Sequence, residues 1–202
     1  MAELARTLAS FEDIAHLPEG ENTEIVGGAI AFAPRPTLAH GIAQAAISWS
    51  VGGPYAFSEE PGGWWIAVEP EVELSRHDVY IPDVAGWRRS RVPTLPDTRP
   101  VRVVPDWVCE VSSPSTGRND RVRKADGYLR GGVAYYWIVD LESRTLEAWE
   151  AHDGSWLRIG AWTEDDTACI PPFDAVELRI GRLFPPPPPA PGDGPTKAEA
   201  AT

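Results

Sequence analysis

Two carboxylates stand inside apolar runs, where a charge is costly. Asp83 follows Pro82 in VYIPDVAGW, and Glu110 interrupts DWVCEVSS. A buried carboxylate in an apolar strand needs a counter-charge or a bound ion. If the two strands are neighbours, both acids reach one edge of the sheet. Their hard oxygens suit Mg2+ or Mn2+, ions that keep several waters and accept substrate phosphate. Lys124 offers the basic partner. The chain carries 16 arginines and two lysines, and the other lysine is Lys197, near the C-terminus. Arginine stays protonated in a protein, whereas lysine can shift its pKa and exchange a proton with water. A lysine kept among arginines therefore points to a chemical demand, with chance retention as the alternative. Lys124 lies one turn after Asp120 and one turn before Tyr128 in DRVRKADGYLRGG, which puts the three on one helical stripe.

The elements around these residues follow from pattern. LASFEDIAHL reads as a short helix capped by Ser10, with Glu12 and Asp13 in its first turn. TEIVGGAIAFA reads as a hairpin turning at Gly-Gly. PTLAHGIAQAAISWS reads as a helix with Leu38, Ile42, Ala45 and Ala46 along one face. Residues 52–63, rich in Gly and Pro, read as a loop. WWIAVEP is a strand, and VELSRHDVYIPDVAGW supplies another, with His77 and Asp78 as its polar entry. A polar loop covers residues 88–100. In DWVCEVSS, alternation sets Trp107, Cys109 and Val111 on one face and Val108, Glu110 and Ser112 on the other. Such a short apolar strand is expected at the centre of a sheet. DRVRKADGYLRGG is a helix starting near Asn119 or Asp120 and stopping at Gly131-Gly132. Strands follow in AYYWIVDL, SRTLEAWEAHDGSWLRIGAW and FDAVELRIG, with Asp-Gly as a turn. Trp64, Trp65 and Trp137 read as core packing rather than a base-stacking platform. The order implies an α/β or α+β fold with a mixed sheet flanked by helices. One domain over 1–184 is expected, followed by a disordered Pro-rich tail over 185–202.

Bulk composition narrows the function classes. The chain has 202 residues, 43% hydrophobic, with a formal charge of −12. That charge argues against a protein that coats nucleic acid indiscriminately. The distribution is uneven: Arg88 to Arg130 holds ten basic and five acidic residues. A basic sector on an acidic body fits local docking of a phosphate backbone, or simply a soluble surface. No run is apolar enough to span a bilayer. The opening segment carries early acids and no long apolar stretch, so it reads as the start of a cytoplasmic protein rather than a signal peptide. Cys109 and Cys169 lack the spacing of a zinc site. No Gly-rich phosphate loop, HExxH pair or GxSxG elbow is present.

PDVAGWRR, DWVCEVSSPST, the following D…K…Y and GVAYYWIVD together resemble the Uma family of restriction-endonuclease-like proteins, placed in the PD-(D/E)XK nuclease superfamily. The resemblance runs from about the N-terminal helix to about Phe184. It implies a restriction-endonuclease-like fold with a mixed central sheet flanked by helices. Asp83 matches the aspartate of the PD motif and Glu110 the second acid. The superfamily's usual lysine would stand where this chain has Ser112; the basic residue matches Lys124 on the following helix instead. Glu24 resembles an early acidic position of the family, an added or orienting ligand. His40 resembles a histidine at the corresponding place, a phosphate contact or auxiliary base.

The activity these residues imply is hydrolysis of a nucleic-acid phosphodiester, DNA ahead of RNA, by a Mg2+- or Mn2+-dependent endonuclease. Asp83 and Glu110 would hold the ion, with Lys124 completing the catalytic set and Glu24, His40 and Asp120 as auxiliaries. A homodimer is expected from the way many nucleases cut two strands. Two competing readings are a catalytically inactive nucleic-acid- or protein-binding module, and an enzyme for another phosphate ester on the same fold.

Overall fold

The computed structural model describes residues 8–18, 22–32, 35–112 and 120–186. Asn119 and residues 187–202 of the Pro-rich tail lie outside the described residues. The short helix α1 (Phe11–Ile14) begins at Ser10, whose amide donates to the Asp13 carboxylate at 2.8 Å. β1 (Thr23–Val26) and β2 (Ala29–Phe32) form the expected hairpin. Gly27 and Gly28 both take positive φ, 58° and 76°, the two-residue turn that matches strand twist.

α2 (Leu38–Ala56) departs from the sequence reading in two ways. Its buried stripe is Ala43, Ile47, Val51 and Tyr55, while Leu38 is 82% and Ile42 41% exposed. The helix is apolar on more than one side, so periodicity did not single out the inward face. The observed rotation turns His40 and Gln44 toward Asp83. The helix also continues through Gly52, Gly53 and Pro54, which the sequence assigned to a loop. Packing of Tyr55 on Phe173, at 4.8 Å between ring centroids, holds that last turn.

β3 (Trp64–Val68) follows. The stretch read as one strand is three: β4 (Val72–Ser75), β5 (Asp78–Tyr80) and β6 (Val84–Arg88). A turn at Arg76-His77 separates β4 from β5, and Pro82, lacking an N–H, separates β5 from β6. β7 (Trp107–Ser112) is buried along its whole length. A π-helical turn over Asp120–Lys124 leads into α3 (Ala125–Gly131), which ends at Gly132 in the left-handed region, φ 89°. β8 (Tyr135–Asp140), β9 (Thr145–His152) and β10 (Ser155–Thr163) complete the large sheet. The Asp153-Gly154 turn joins the last two, with φ of 47° and 73°. The predicted final strand shrinks to β12 (Leu178–Arg179), paired with β11 (Thr167–Ala168), before a 3-10 turn over Ile180–Leu183. That turn buries Ile180 and Leu183 against the α2 side of the sheet, which a continued strand would not do.

The six-stranded sheet has the order β10-β9-β8-β7-β6-β3. It is mixed: β7 and β8 are parallel and the other pairs antiparallel. A parallel pair needs a crossover, and α3 lies in it. A second sheet, β2-β1-β5-β4, was not anticipated from the sequence. The alternation of β7 separates two cores. Trp107, Cys109 and Val111 pack with α2 and Phe173, whereas Val108 packs with α3 and Tyr136. Among the described residues no helix is long and apolar enough to cross a membrane. Cys109 and Cys169 are both free thiols.

α3 is held close to the sheets by a glycine. A Cβ on Gly127 would lie 2.0 Å from the Tyr80 hydroxyl oxygen, which donates to Asp78 at 2.8 Å. Gly127→Ala must therefore push α3 away or break that bond, an overpacking cost of about 1–3 kcal/mol. Thermal unfolding by circular dichroism should show a fall of several degrees; an unchanged melting temperature would mean α3 is not clamped there.

Candidate active site

The register of β6 on β7 builds the centre of the site. Val84 pairs with Cys109 and Ala85 with Val108, so one further step along the ladder sets Asp83 beside Glu110. β6 ends there because Pro82 cannot donate. Just past the strand end the Asp83 carboxylate serves as the acceptor: its Oδ2 accepts from the Val111 N–H at 2.6 Å. Its Oδ1 lies 2.8 Å from His40 Nε2, at the start of α2. The Asp83 backbone is pinned as well, since its carbonyl accepts from Gln44 Nε2 at 3.0 Å and from the Glu69 amide at 3.2 Å.

Glu110, at the same end of the sheet, reaches the π-helical turn and α3. Its Oε1 accepts from the Tyr128 hydroxyl at 2.5 Å and from Lys124 Nζ at 3.1 Å. Lys124 also reaches Glu24 Oε1, at 2.8 Å, and that oxygen accepts the Ile81 amide at 2.8 Å. Lys124 thus ties β1, β7 and the π-helical turn together. Glu24, Glu110, Asp120 and Lys124 are all buried, at 3%, 3%, 3% and 6% exposure.

Burial shapes the protonation of this cluster. It pushes the Glu110 carboxyl well above its ordinary range; Lys124 opposes the shift, while Asp83, Asp120 and Glu24 add to it. Burial alone would lower the Lys124 pKa, but Glu110, Glu24 and Asp120 outweigh it and hold the ammonium charged. For His40, burial acts to lower the pKa, and the hydrogen bond and charge of Asp83 reverse this and raise it.

The structure brings Glu24, His40, Asp83, Glu110, Asp120 and Lys124 into one region at the β6–β7 end. Glu24 is not a solvent-facing strand residue, nor His40 a free helix-surface one. Tyr128, on the same helical stripe as Lys124, is a buried core tyrosine whose hydroxyl holds Glu110. Asp78 and His77 are structural: Asp78 accepts the Gly27 amide at 2.9 Å, and His77 Nδ1 lies 2.8 Å from the Ala9 carbonyl. Sequence reasoning missed Gln44, which bridges Asp83 and Glu69. Its position one turn after His40 on α2 was the available signal.

A model of the Uma2 family, described as "Putative restriction endonuclease", matches residues 8–189. The chain belongs to the Uma2 family. Its fold is similar to the crystal structure of "a putative nuclease belonging to DUF820" from Anabaena variabilis. That likeness has a TM-score of 0.69 at 20% identity and covers 87% of this chain and 97% of that one. At such identity the likeness concerns the fold, which is restriction-endonuclease-like. No curated protein matches this chain. Within this Uma2 chain, the oxygens offered at the site come from Asp83, Glu110 and Glu24. Among the described residues no three His, Cys, Asp or Glu side chains group as a ready metal cage. An ion here would have to complete its shell with water and substrate, the habit of Mg2+.

Proposed function

We propose that this Uma2 member is a metal-dependent nuclease that hydrolyses phosphodiester bonds of nucleic acid, DNA foremost. The observation that carries the reading is the β6–β7 register setting Asp83 beside Glu110, with a buried lysine against Glu110. The residues present fit a divalent ion. Three carboxyl groups, Glu24, Asp83 and Glu110, gather around one lysine and one histidine and offer hard oxygen donors. The Ser112 hydroxyl, two residues beyond Glu110 on the same face, is buried without a hydrogen-bond partner among the described residues. Asp83 and Glu110 would hold Mg2+ or Mn2+. When bound, such an ion polarises a phosphoryl oxygen and lowers the pKa of water.

The chain's own groups do the rest. Lys124, kept charged by its carboxylate neighbours, places a fixed positive charge where negative charge grows in the transition state. His40 and the Val111 amide fix both oxygens of Asp83. Tyr128 fixes Glu110, and partners of that kind usually tune metal affinity by about ten- to a hundredfold. Tyr128→Phe should therefore weaken Mn2+ binding by about tenfold in calorimetry while the fold persists. Equal affinity in both proteins would show that Tyr128 is packing alone. A homodimer, one site per strand, is the assembly a double-strand cut would require.

A second reading, an inactive binding module, is favoured by one observation. Much of the basic sector is already neutralised: Arg91 pairs with Asp106, Arg99 with Glu71, Arg102 with Glu73 and Arg121 with Asp140, at 2.9, 2.7, 2.9 and 2.9 Å. Plasmid and oligonucleotide incubated with Mg2+ or Mn2+ separate the two readings. The nuclease reading expects cleavage that chelation abolishes. Metal binding with no cleavage of any nucleic acid would hand the lead to the binding module.

A further inference from the structure

A second recess opens on the same sheet face as Glu110. Register places Glu110 opposite Ile138 on β8, and Ile138 opposite Glu147 on β9; Val108, Tyr136 and Trp149 form the adjacent row. Ile138, Tyr136, Trp149 and Trp156 line a cavity of about 240 Å³, with Arg121 and Glu147 among its walls. Strands stand about 4.8 Å apart, so the β9 side of the recess lies about 10 Å across the sheet from the Glu110 position. Each indole contacts Tyr136, Trp149 nearly parallel to it (27°, 5.8 Å) and Trp156 tilted by 34° at 5.7 Å. The Trp156 Nε1–H donates to the Ala125 carbonyl at 2.8 Å, next to Lys124, which fixes that wall to the catalytic turn. Both tryptophans are only partly buried.

We propose that this recess receives a nucleobase of the substrate strand, near the phosphate handled at Asp83 and Glu110. The inference rests on the nuclease reading and names a substrate subsite for it. The chemistry matches an aromatic, uncharged ligand with polar edges. The two partly buried indoles supply π surfaces, backed by buried Tyr136, and Ile138 supplies an apolar floor. Arg121 and Glu147, paired at 3.2 Å, supply donors and an acceptor with no net charge. A free phosphate would not use the rings. A duplex base cannot enter without leaving its stack, so unpaired strands are favoured.

The π-helical turn Asp120–Lys124 links the two places. Lys124 points to Glu110, whereas Arg121 points to Glu147 and Asp140. A strand lying across this turn would meet the lysine with a phosphate and the recess with a neighbouring base.

The test uses the full chain with chelator present, so that binding is read without cleavage. The probes are a mixed-base single-stranded octadeoxynucleotide and the same length carrying abasic sites throughout. Stacking of one base is expected to make the base-bearing strand bind about tenfold tighter or more. Trp149→Leu should erase the difference and Trp149→Phe should keep most of it; circular dichroism confirms that both fold. Equal affinity for the two probes, or an unchanged difference in Trp149→Leu, overturns the proposal. Cleavage assays then separate it from the reading beneath it. Base-independent binding in a protein that cuts with Mn2+ removes the subsite and leaves the nuclease. Base-dependent binding lost in Trp149→Leu, in a protein that never cuts, keeps the recess as a base-binding site and removes the nuclease.

Discussion

Lys124→Ala is expected to lower nucleic-acid cleavage by about a hundredfold or more, the usual effect of losing one group that stabilises transition-state charge. Metal binding should survive, because Asp83 and Glu110 remain. The variant also strands two buried carboxylates, since Lys124 lies 2.8 Å from Glu24 and 3.1 Å from Glu110. Breaking a buried pair in this way costs about 3–5 kcal/mol. Melting curves must accompany the rates, and rates are compared below the onset of unfolding. Lys124→Met keeps the apolar stem and should show the same rate loss with better packing. Lys124→Arg should recover little. A planar guanidinium cannot reproduce a point charge seated between Glu24 Oε1 and Glu110 Oε1. Parental rates in Lys124→Met would show that the lysine only neutralises the carboxylates.

Asp83→Ala is expected to abolish both Mn2+ binding and cleavage. Asp83 contributes one of two proposed ligands, and its Oδ2 also closes the open ladder at Val111. His40 loses its partner in the same change. Asp83→Asn separates these roles. The amide can still face His40 and keep the local structure, but it carries no charge for the ion. Loss of metal binding in Asp83→Asn with an unchanged melting temperature would place the effect on the ligand. Cleavage by either variant at the parental rate would remove Asp83 from the mechanism.

Much of the architecture was legible in the residues. The alternation of β7, the Gly27-Gly28 turn and the Gly132 stop of α3 follow from local rules that tertiary packing did not override. The mixed sheet and its flanking helices also followed from element order. The inward face of α2 did not. Leu38, Ile42, Ala45 and Ala46 form as good an apolar stripe as Ala43, Ile47, Val51 and Tyr55, and the choice depends on Phe173, more than a hundred residues away. The splitting of the stretch before Asp83 into three strands was signalled by Pro82 and by His77, but the second sheet it feeds depends on pairing with β1.

The site divides in the same way. Asp83 and Glu110 stood out because a charge in an apolar strand is conspicuous, and Lys124 because lysine is rare in this chain. Their convergence needed the antiparallel register of β6 and β7, which sequence spacing does not encode. The Gln44–Asp83 and Tyr128–Glu110 bonds join residues distant in sequence, so spacing alone does not show them, although Gln44 stands one turn after His40. The burial of Lys124 between two carboxylates, which favours the charged form, depends on the fold and not on its rarity in the sequence.

The most direct measurement is a crystal of the protein soaked with Mn2+ and recorded near the manganese absorption edge. The account predicts an anomalous peak between the Asp83 and Glu110 carboxylates, absent in Asp83→Asn crystals treated alike. Manganese bound elsewhere, or none at that position at saturating Mn2+, would contradict it.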